Sequence, residues 1–270
     1  MVELFENELN MPNRQSSKGN QLKFKRDNVW YKADYLGYEG LAEYTVSKLL
    51  RCSSLKAGEY VDYDLDQISC NGQLFNACRS NDFTEGWQLI TLERLFRNMY
   101  GESLNSMIYS VRDHTERLKL LVNQIERVTG ISGFGEYMCK ILTVDALFLN
   151  EDRHTHNLAV LTDGSGNYRL CPIFDNGAGL LSNMQFYRSD IEPKALIKIP
   201  DASPFHMTFN REIKTMRDLY GSVLKIPKFN SSELSEMLSP LLEYYPKRDR
   251  GIIADRVITT IIERAKQIQI

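Results

Sequence analysis

The feature that most constrains this chain is a polar segment set between a long apolar helix and a hairpin. The run EYMCKILTVDALFLN repeats apolar residues every three or four positions, which predicts a helix that ends near Asn150. Strand-like LAVL and YRLCPIF then flank the turn-rich residues 162–167, which predicts a hairpin. Between them lies the polar run NEDRHTHN. Because packed elements would fix both of its ends, this loop can hold polar side chains in defined positions.

Three side chains around this loop have the types and the order that phosphoryl transfer needs. Asp152 and Asn157 are five residues apart, and Asp175 follows the predicted hairpin. Protein kinases place a catalytic aspartate and a metal-binding asparagine at this spacing, and a second metal-binding aspartate further along the chain. The sequence therefore predicts Asp152 as the catalytic base, and Asn157 and Asp175 as ligands of Mg2+.

Two other interpretations of this loop stay open. Taken singly, Asp152 could cap a turn, Asn157 could adopt a left-handed conformation, and Asp175 could belong to another turn. The alternating His154 and His156, together with a carboxylate, could also bind a transition metal. No third histidine lies nearby in the sequence, so we assign His154 a structural role, in which it orients the backbone or a carboxylate.

The N-terminal part of the chain predicts short strands and one helix. In QLKFKRDNVWYKADY, two strand-like runs, 22–25 and 29–33, flank the polar turn at 26–28, which predicts a hairpin. The run LAEYTVSKLL after Gly40 has helical spacing, and a further strand is expected at about 59–63.

This N-terminal part also offers residues for binding a nucleotide. Lys32 lies on the second predicted strand and Glu43 lies early in the helix, as in kinases, where a strand lysine on the phosphates is held by a helix glutamate. Ser16, Ser17 and Lys18 lie in a polar loop ahead of the first strand, where a phosphate-binding turn would be placed. The loop is not glycine-rich, so a disordered N-terminal arm is the competing interpretation. A strand lysine and a helix glutamate are also commonplace solvated residues.

The chain becomes helical in character beyond about residue 85. Helical spacing recurs in WQLITLERLFRNMY, in residues 111–128 and in two tail helices, one opened by Asn230 with Glu233 and one at about 250–267. We therefore predict an α+β, two-lobed fold. Residues 1–84 would form a small lobe with an antiparallel sheet and one helix, and residues 85–270 would form a larger, mainly helical lobe.

Composition limits the function classes. A net charge of −2 over 270 residues gives no bias toward direct nucleic-acid binding or toward an acidic membrane surface. Five scattered cysteines without a CxxC pair favour neither a disulfide framework nor a zinc site. No N-terminal leader pattern and no apolar run of about 20 residues is evident, so we expect a soluble cytoplasmic protein without a membrane partner.

The sequence resembles the HipA-like family of bacterial serine/threonine kinases. The resemblance is carried chiefly by VDALFLNEDRHTHNLAVL and LCPIFDNGAGL, and more weakly by VWYKADY followed by GLAEYTVSKLL. The family positions are filled here by Asp145, Asn150, Asp152, Arg153, His154, Asn157 and Asp175. In the weaker match, Lys32 would be the phosphate-contacting lysine and Glu43 its helix partner.

The resemblance implies a fold related to protein kinases and phosphoinositide kinases, with ATP and Mg2+ as cofactors. It also implies a protein substrate with a serine or threonine acceptor. Some members are toxins of toxin–antitoxin pairs, so an antitoxin or other regulatory partner is implied. Several members phosphorylate a serine of their own phosphate loop, which would be Ser16 or Ser17 here. The chain lacks room for the extra N-terminal subdomain of longer members, and it has no helix-turn-helix signature for DNA binding.

The sequence leaves three functions open. The first is a serine/threonine protein kinase. The second is a non-catalytic nucleotide-binding module, which the irregular phosphate loop motivates. The third is a kinase of a small molecule or lipid headgroup, which would use the same catalytic residues. The lack of a basic amphipathic helix disfavours a substrate at a membrane surface.

Overall fold

The N-terminal part of the chain is a five-stranded sheet that carries one helix. The computed structural model describes residues 2–4, 21–203, 205 and 207–268, so the predicted phosphate-loop residues Ser16, Ser17 and Lys18 lie outside the described residues. The sheet has the strand order β1-β4-β5-β3-β2, and only the β1–β4 pair is parallel. Its strands are β1 (Val2–Leu4), β2 (Lys23–Arg26), β3 (Val29–Ala33), β4 (Asp64–Cys70) and β5 (Gln73–Asn81).

Both hairpins of this sheet turn through residues with positive φ. The predicted β2–β3 hairpin is confirmed and turns at Asp27, whose φ is 52°. The β4–β5 hairpin, which we did not predict, turns at Asn71 and Gly72, with φ of 52° and 74°. An Asn-Gly pair favours this two-residue turn because both residues tolerate positive φ.

The strand expected at 59–63 is wrong as a sheet member. Tyr60 forms only an isolated parallel bridge with Ile173, in which Ile173 N–H donates to the Glu59 carbonyl and Val61 N–H donates to the Ile173 carbonyl. The segment therefore ties the N-terminal part of the chain to the end of the second hairpin instead of extending the sheet.

The predicted helix after the first hairpin is α1 (Glu39–Leu50), and it packs on the sheet. Its side chains Leu41, Val46 and Leu50 are fully buried. At Gly40, a Cβ atom would lie 2.9 Å from Asp34 Oδ1 and from the backbone nitrogen of Cys78. Only glycine therefore lets the first turn of α1 approach the sheet this closely.

The larger part of the chain is mainly helical, with one small sheet. Its three strands pair in the order β6-β7-β8, and β7 and β8 are the predicted second hairpin. These strands are β6 (Gln88–Thr91), β7 (Ala159–Thr162) and β8 (Tyr168–Leu170). The α-helices are α2 (Leu92–Tyr100), α3 (Leu104–Ser110), α4 (His114–Thr129), α5 (Phe134–Phe148), α6 (Pro193–Leu196), α7 (Phe209–Tyr220), α8 (Ser231–Leu238) and α9 (Lys247–Ile268).

The run WQLITLERLFRNMY is a strand followed by a helix, so the prediction of one continuous helix is wrong there. The Thr91 side chain accepts a hydrogen bond from Arg94 N–H and caps α2, which lets residues 88–91 pair with β7. The predicted capping box of α8 is confirmed at Asn230 and Glu233.

Helix α5 is the centre of this larger part and contacts α4, α7 and α9. Thirteen of its 15 residues are buried. The predicted α+β, kinase-like arrangement of a sheet with one helix followed by a larger helical part is thus confirmed. Among the described residues, no helix is both long enough and apolar enough to cross a membrane.

Candidate active site

The polar loop begins where α5 ends. Leu149 follows the last helical residue with a left-handed φ of 55°, and Asn150 N–H donates to the Asp145 carbonyl. A non-glycine residue with positive φ marks a conformation held by its surroundings. This turn redirects the chain out of the buried core and into the loop that carries Asp152 and Asn157.

A buried ion pair holds the back of the loop. Arg153 Nε lies 3.0 Å from Asp145 Oδ2, and both side chains are only 1% exposed. Arg153 also donates to the Phe174 carbonyl and to Asn176 Oδ1 (2.7 Å). Asn150 Nδ2 donates to Asp145 Oδ1 (3.0 Å). We call Asp145, Asn150, Arg153 and Asn176 the buried network; it fixes the loop against the segment that follows the hairpin.

Asp152 and Asn157 lie on the open side of this loop. Asn157 Nδ2 donates to the backbone carbonyl of Asp152 (2.8 Å) and lies 3.5 Å from its Oδ2 atom. The side chain of Asp152 is 21% exposed. Because the side-chain nitrogen of Asn157 donates to the Asp152 carbonyl, the side-chain oxygen of Asn157 points away from that carbonyl. The loop thus presents a carboxylate and an amide oxygen close together.

His154 lies against the same carboxylate. Its Nδ1 accepts a hydrogen bond from His156 N–H, so the proton of the neutral ring is on Nε2, which is 3.7 Å from Asp152 Oδ1. Burial lowers the pKa of His154, and this outweighs the opposing charge of Asp152. A neutral ring that faces Asp152 fits the predicted orienting role. No group of three or more metal-binding side chains occurs among His, Cys, Asp and Glu in the described part of the chain.

Lys32 joins the sheet to the segment after the hairpin. Its Nζ lies 2.7 Å from Glu43 Oε1 and 2.7 Å from Asp175 Oδ1. The second carboxylate oxygen of Glu43 accepts the N–H of Asn176 (2.9 Å). We call Lys32, Glu43 and Asp175 the cleft triad. It brings together residues 143 positions apart in the sequence.

Lys32 and Asp175 are both charged throughout the physiological pH range. Burial alone would lower the pKa of Lys32, but the negative charges of Asp175 and Glu43 raise it well above its ordinary value. Burial would raise the pKa of Asp175, yet the positive charges of Lys23, Lys32 and Arg153 hold it far below its usual range. The Lys32 side chain is 13% exposed and that of Asp175 is 20% exposed, so both are accessible to solvent.

The donor chemistry fits Mg2+. Asp175 and Asn157 both offer oxygen atoms, which are the ligands that Mg2+ prefers, and a Mg2+ site usually combines one or two such side chains with waters and substrate phosphates. The two residues belong to segments that the buried network joins directly, since Arg153 donates to the Asn157 carbonyl (3.2 Å) as well as to Phe174. Asp175 also has a positive φ of 60°. Its surroundings hold the backbone in this conformation, which fixes the direction in which the side chain leaves it.

Sequence reasoning missed several residues around the site. Asn176 links Arg153 to Glu43, and Tyr63 OH lies 3.4 Å from Lys32 Nζ. Glu93 on α2 accepts the hydroxyl of Thr155 (3.2 Å) and so braces the polar loop from outside. The Asp-Asn-Gly run could have indicated Asn176, whereas nothing in the sequence pairs Glu93 with the loop.

Known proteins resemble this chain in structure but not in sequence. The chain matches no protein-family model, and no curated protein matches it. The Helicobacter pylori proinflammatory kinase CtkA superposes with a TM-score of 0.56 at 15% identity, covering 96% of this chain and 93% of that one. HipA of Shewanella oneidensis MR-1, from a complex with HipB and operator DNA, gives a TM-score of 0.44 at 11% identity, covering 98% and 67%. The kinase-like fold expected from the sequence is thereby confirmed, since this chain shares the fold of the kinase CtkA.

Proposed function

We propose that this chain is an ATP-dependent kinase that phosphorylates a serine or threonine hydroxyl of a protein. One observation carries the proposal: Lys32 binds Glu43 and Asp175 at 2.7 Å each, and Arg153 of the polar loop bonds the residues on either side of Asp175. Kinases use a strand lysine, a helix glutamate, a catalytic aspartate and a metal-binding aspartate in this order along the chain. The fold shared with the kinase CtkA supports it.

Asp152 would act on the acceptor. Its carboxylate would accept a hydrogen bond from the attacking hydroxyl and orient the oxygen toward the phosphorus. It would take the proton as the new P–O bond forms and the bond from the γ-phosphorus to the departing ADP breaks. Asn157 fixes the backbone of Asp152 through the 2.8 Å hydrogen bond, and His154 faces the carboxylate from the other side. These contacts limit the rotation of Asp152 before a substrate arrives.

Asn157 and Asp175 would hold Mg2+. When bound, the ion would supply positive charge that offsets the negative charge developing on the transferred phosphoryl group. Lys32 would turn from Asp175 to a phosphate oxygen and keep its contact with Glu43. Its strongly favoured ammonium form supports this role, since a neutral amine would not stabilise the transferring phosphoryl group.

The acceptor we propose is a protein side chain, and the support is the loop Asn-Glu-Asp-Arg-His-Thr-His-Asn with its resemblance to serine/threonine kinases. Self-phosphorylation at Ser16 or Ser17, with Lys18 nearby on the phosphates, stays a prediction because these residues lie outside the described part of the chain. An antitoxin or regulatory partner also stays a proposal, and it rests on the sequence resemblance.

The test is transfer of labelled γ-phosphate. Purified protein is incubated with Mg2+, labelled ATP and a cell lysate, and the labelled species and their phosphorylated amino acids are identified. We expect label on serine or threonine with the wild type and none with Asp175→Asn. The matched control is Asp218→Asn, which removes an exposed carboxylate paired with Lys214 on α7; it should transfer as the wild type does.

Other outcomes would replace the proposal. If ATP raises the melting temperature of the wild type but no label is transferred, the chain is a nucleotide-binding module. If the label enters a small molecule or lipid and no protein, the acceptor class is wrong. If Asp175→Asn transfers as well as the wild type, the assigned site is wrong.

A further inference from the structure

A second lysine lies beside Lys32 on the sheet. In the antiparallel β2–β3 pair, Lys23 is directly opposite Lys32. The neighbouring pair is bonded through Ala33 N–H and the Leu22 carbonyl (3.0 Å), so the two lysines form a non-hydrogen-bonded pair. In such pairs the Cα atoms are only about 4.5 Å apart and the side chains leave the same face of the sheet.

That shared face is the one that points into the cleft. Lys32 reaches Asp175 from it. The intervening side chains Phe24 and Tyr31 point to the opposite face, where they are buried in an apolar cluster with Ile68. Because side chains alternate along a strand, the Lys23 ammonium is on the same side as Lys32. Consistent with this, the positive charge of Lys23 helps to lower the pKa of Asp175.

The two lysines differ in how their charges are neutralised. Like charges directly opposite each other on a sheet are destabilising unless an anion lies between or beside them. Glu43 and Asp175 surround the Lys32 ammonium. Lys23, in contrast, forms no ion pair within 4 Å with a residue of the described ranges. Both carboxylates are thus in contact with Lys32, and the ammonium of Lys23 is left without a paired carboxylate among the described residues.

We propose that Lys23 is a second phosphate-binding lysine of the nucleotide site. The inference rests on the proposed function, because it takes a nucleoside triphosphate as the occupant of this cleft. A triphosphate presents several charged oxygens along a chain, so two ammonium groups on neighbouring strands can bind it at different phosphates. Lys32 binds the phosphate nearest Asp175. Lys23 binds a phosphate nearer the edge of the sheet, since β2 is the edge strand.

Lys25 provides a matched control on the same strand. It is two residues further along β2, so it leaves the same face of the sheet. Its Nζ is paired with Asp82 Oδ2 at 2.6 Å and lies over the Trp30 ring, 5.2 Å from the centroid. Its charge is paired with Asp82 and not with Asp175, so the substitution of Lys25 by alanine should not affect phosphate binding.

The experiment measures the affinity of the full chain for ATP with Mg2+ by calorimetry, for wild type, Lys23→Ala, Lys23→Arg and Lys25→Ala. A hydrogen bond to a charged phosphate is typically worth enough to change affinity roughly 10- to 100-fold. We expect Lys23→Ala to raise the Kd for ATP by that factor. The Kd of Lys23→Arg should stay within about threefold of the wild-type value, because the arginine keeps a positive charge at this position. The Kd of Lys25→Ala should stay within about twofold, because Lys23 is still present. Unchanged melting temperatures would confirm that the variants fold.

Three results would overturn the inference: a Lys23→Ala affinity equal to wild type, an equal loss with Lys25→Ala, or no recovery with Lys23→Arg. A wild type that binds no ATP would overturn it as well. The proposed function fails separately. If the wild type binds ATP in a Lys23-dependent way but transfers no phosphate, the inference stands and the kinase proposal falls; if it transfers phosphate and Lys23→Ala binds ATP normally, only the inference falls.

Discussion

The buried network and the cleft triad are built from similar charged residues, but they differ in exposure. The Asp145–Arg153 pair is 1% exposed on both sides, and Arg153 has further partners in Asn176 and two backbone carbonyls. The Lys32–Asp175 pair is 13% and 20% exposed. The first pair is closed to solvent, whereas the second can be reached by a ligand.

This difference in exposure suits the two pairs to different roles: the buried pair stabilises the structure, and the exposed pair can exchange a partner for a ligand. A buried pair whose other hydrogen-bonding atoms are satisfied fixes one geometry, because any loss leaves an uncompensated charge in the core. A partly exposed pair can give up one partner to a ligand at a smaller cost. The comparison predicts that changes to the buried network act mainly on stability, and that changes to the cleft triad act mainly on activity.

The largest effect on stability should come from Arg153→Met. The variant leaves Asp145 buried without its cation, which typically costs about 3–5 kcal/mol. Urea denaturation followed by circular dichroism measures it. Arg188→Met, which removes an exposed arginine paired with Asp190, should change the free energy of unfolding by less than about 0.5 kcal/mol. Equal stability of the two variants would contradict a stabilising role of the buried Arg153–Asp145 pair.

Glu43→Gln should act on activity and little on the fold. The amide keeps the shape but loses the charge that holds Lys32, so we expect kcat for phosphate transfer to fall roughly 10- to 100-fold, as for loss of one charged hydrogen bond. Transfer from labelled ATP measures kcat, and the melting temperature reports the fold. Glu236→Gln, at an exposed position of α8, is the control. A large fall in the melting temperature with an unchanged kcat would instead show that Glu43 stabilises the fold and does not act on phosphate transfer.

Glu212 is a further buried acidic residue, and its effect on stability depends on pH. It is fully buried on α7, and neither of its carboxylate oxygens has a hydrogen-bond partner among the described residues. Burial, and then the charge of Asp145, raise the pKa of Glu212 well above its ordinary value. An acid with a raised folded-state pKa favours folding fully below its unfolded pKa, and this contribution is lost as pH rises toward the folded value.

Wild type should therefore lose stability relative to Glu212→Gln as the pH rises from about 5 to about 8, with the unfolded pKa near 4.3. Urea midpoints of both proteins across this range measure the difference. A difference that stays constant with pH would mean that Glu212 is not buried as a neutral acid.

The smallest effect is expected for Tyr187→Phe. The buried Tyr187 donates its hydroxyl proton to Glu151 Oε2 (2.9 Å), next to Asp152. Loss of one such hydrogen bond should lower the free energy of unfolding by about 1 kcal/mol and change kcat less than about threefold. Denaturant midpoints and transfer rates measure both. A larger loss of kcat than with Glu43→Gln would place Tyr187 among the residues that position the catalytic loop.

The sequence predicted the elements whose signals are local. Helix α5, the polar loop and the β7–β8 hairpin follow from periodicity and turn residues over short windows, and so does the spacing of Asp152 and Asn157. The β4–β5 hairpin was missed although Asn71-Gly72 is a strong turn signal, because the flanking strands carry polar residues on both faces. Residues 88–91 were assigned to a helix because apolar spacing over four residues suits either structure.

Contacts between residues that are distant in the sequence could not be predicted from local sequence patterns. The opposition of Lys23 and Lys32 depends on the register of the hairpin, which a turn shifted by one residue would have changed. Asn176 gains its role only because Arg153 and Glu43 approach it from different elements. Of the strand expected at 59–63, only Tyr60 forms a bridge, and its partner is Ile173 instead of a strand of the sheet.

The most direct test of the account separates nucleotide binding from phosphate transfer with Asp152→Asn. Asp152 is assigned to the acceptor hydroxyl and not to the nucleotide, so the variant should bind ATP with Mg2+ with the affinity of the wild type. Transfer of labelled γ-phosphate to a protein serine or threonine should fall at least about 1,000-fold, in the range for loss of a catalytic base. Transfer by Asp152→Asn at the wild-type rate, with binding intact, would contradict the account.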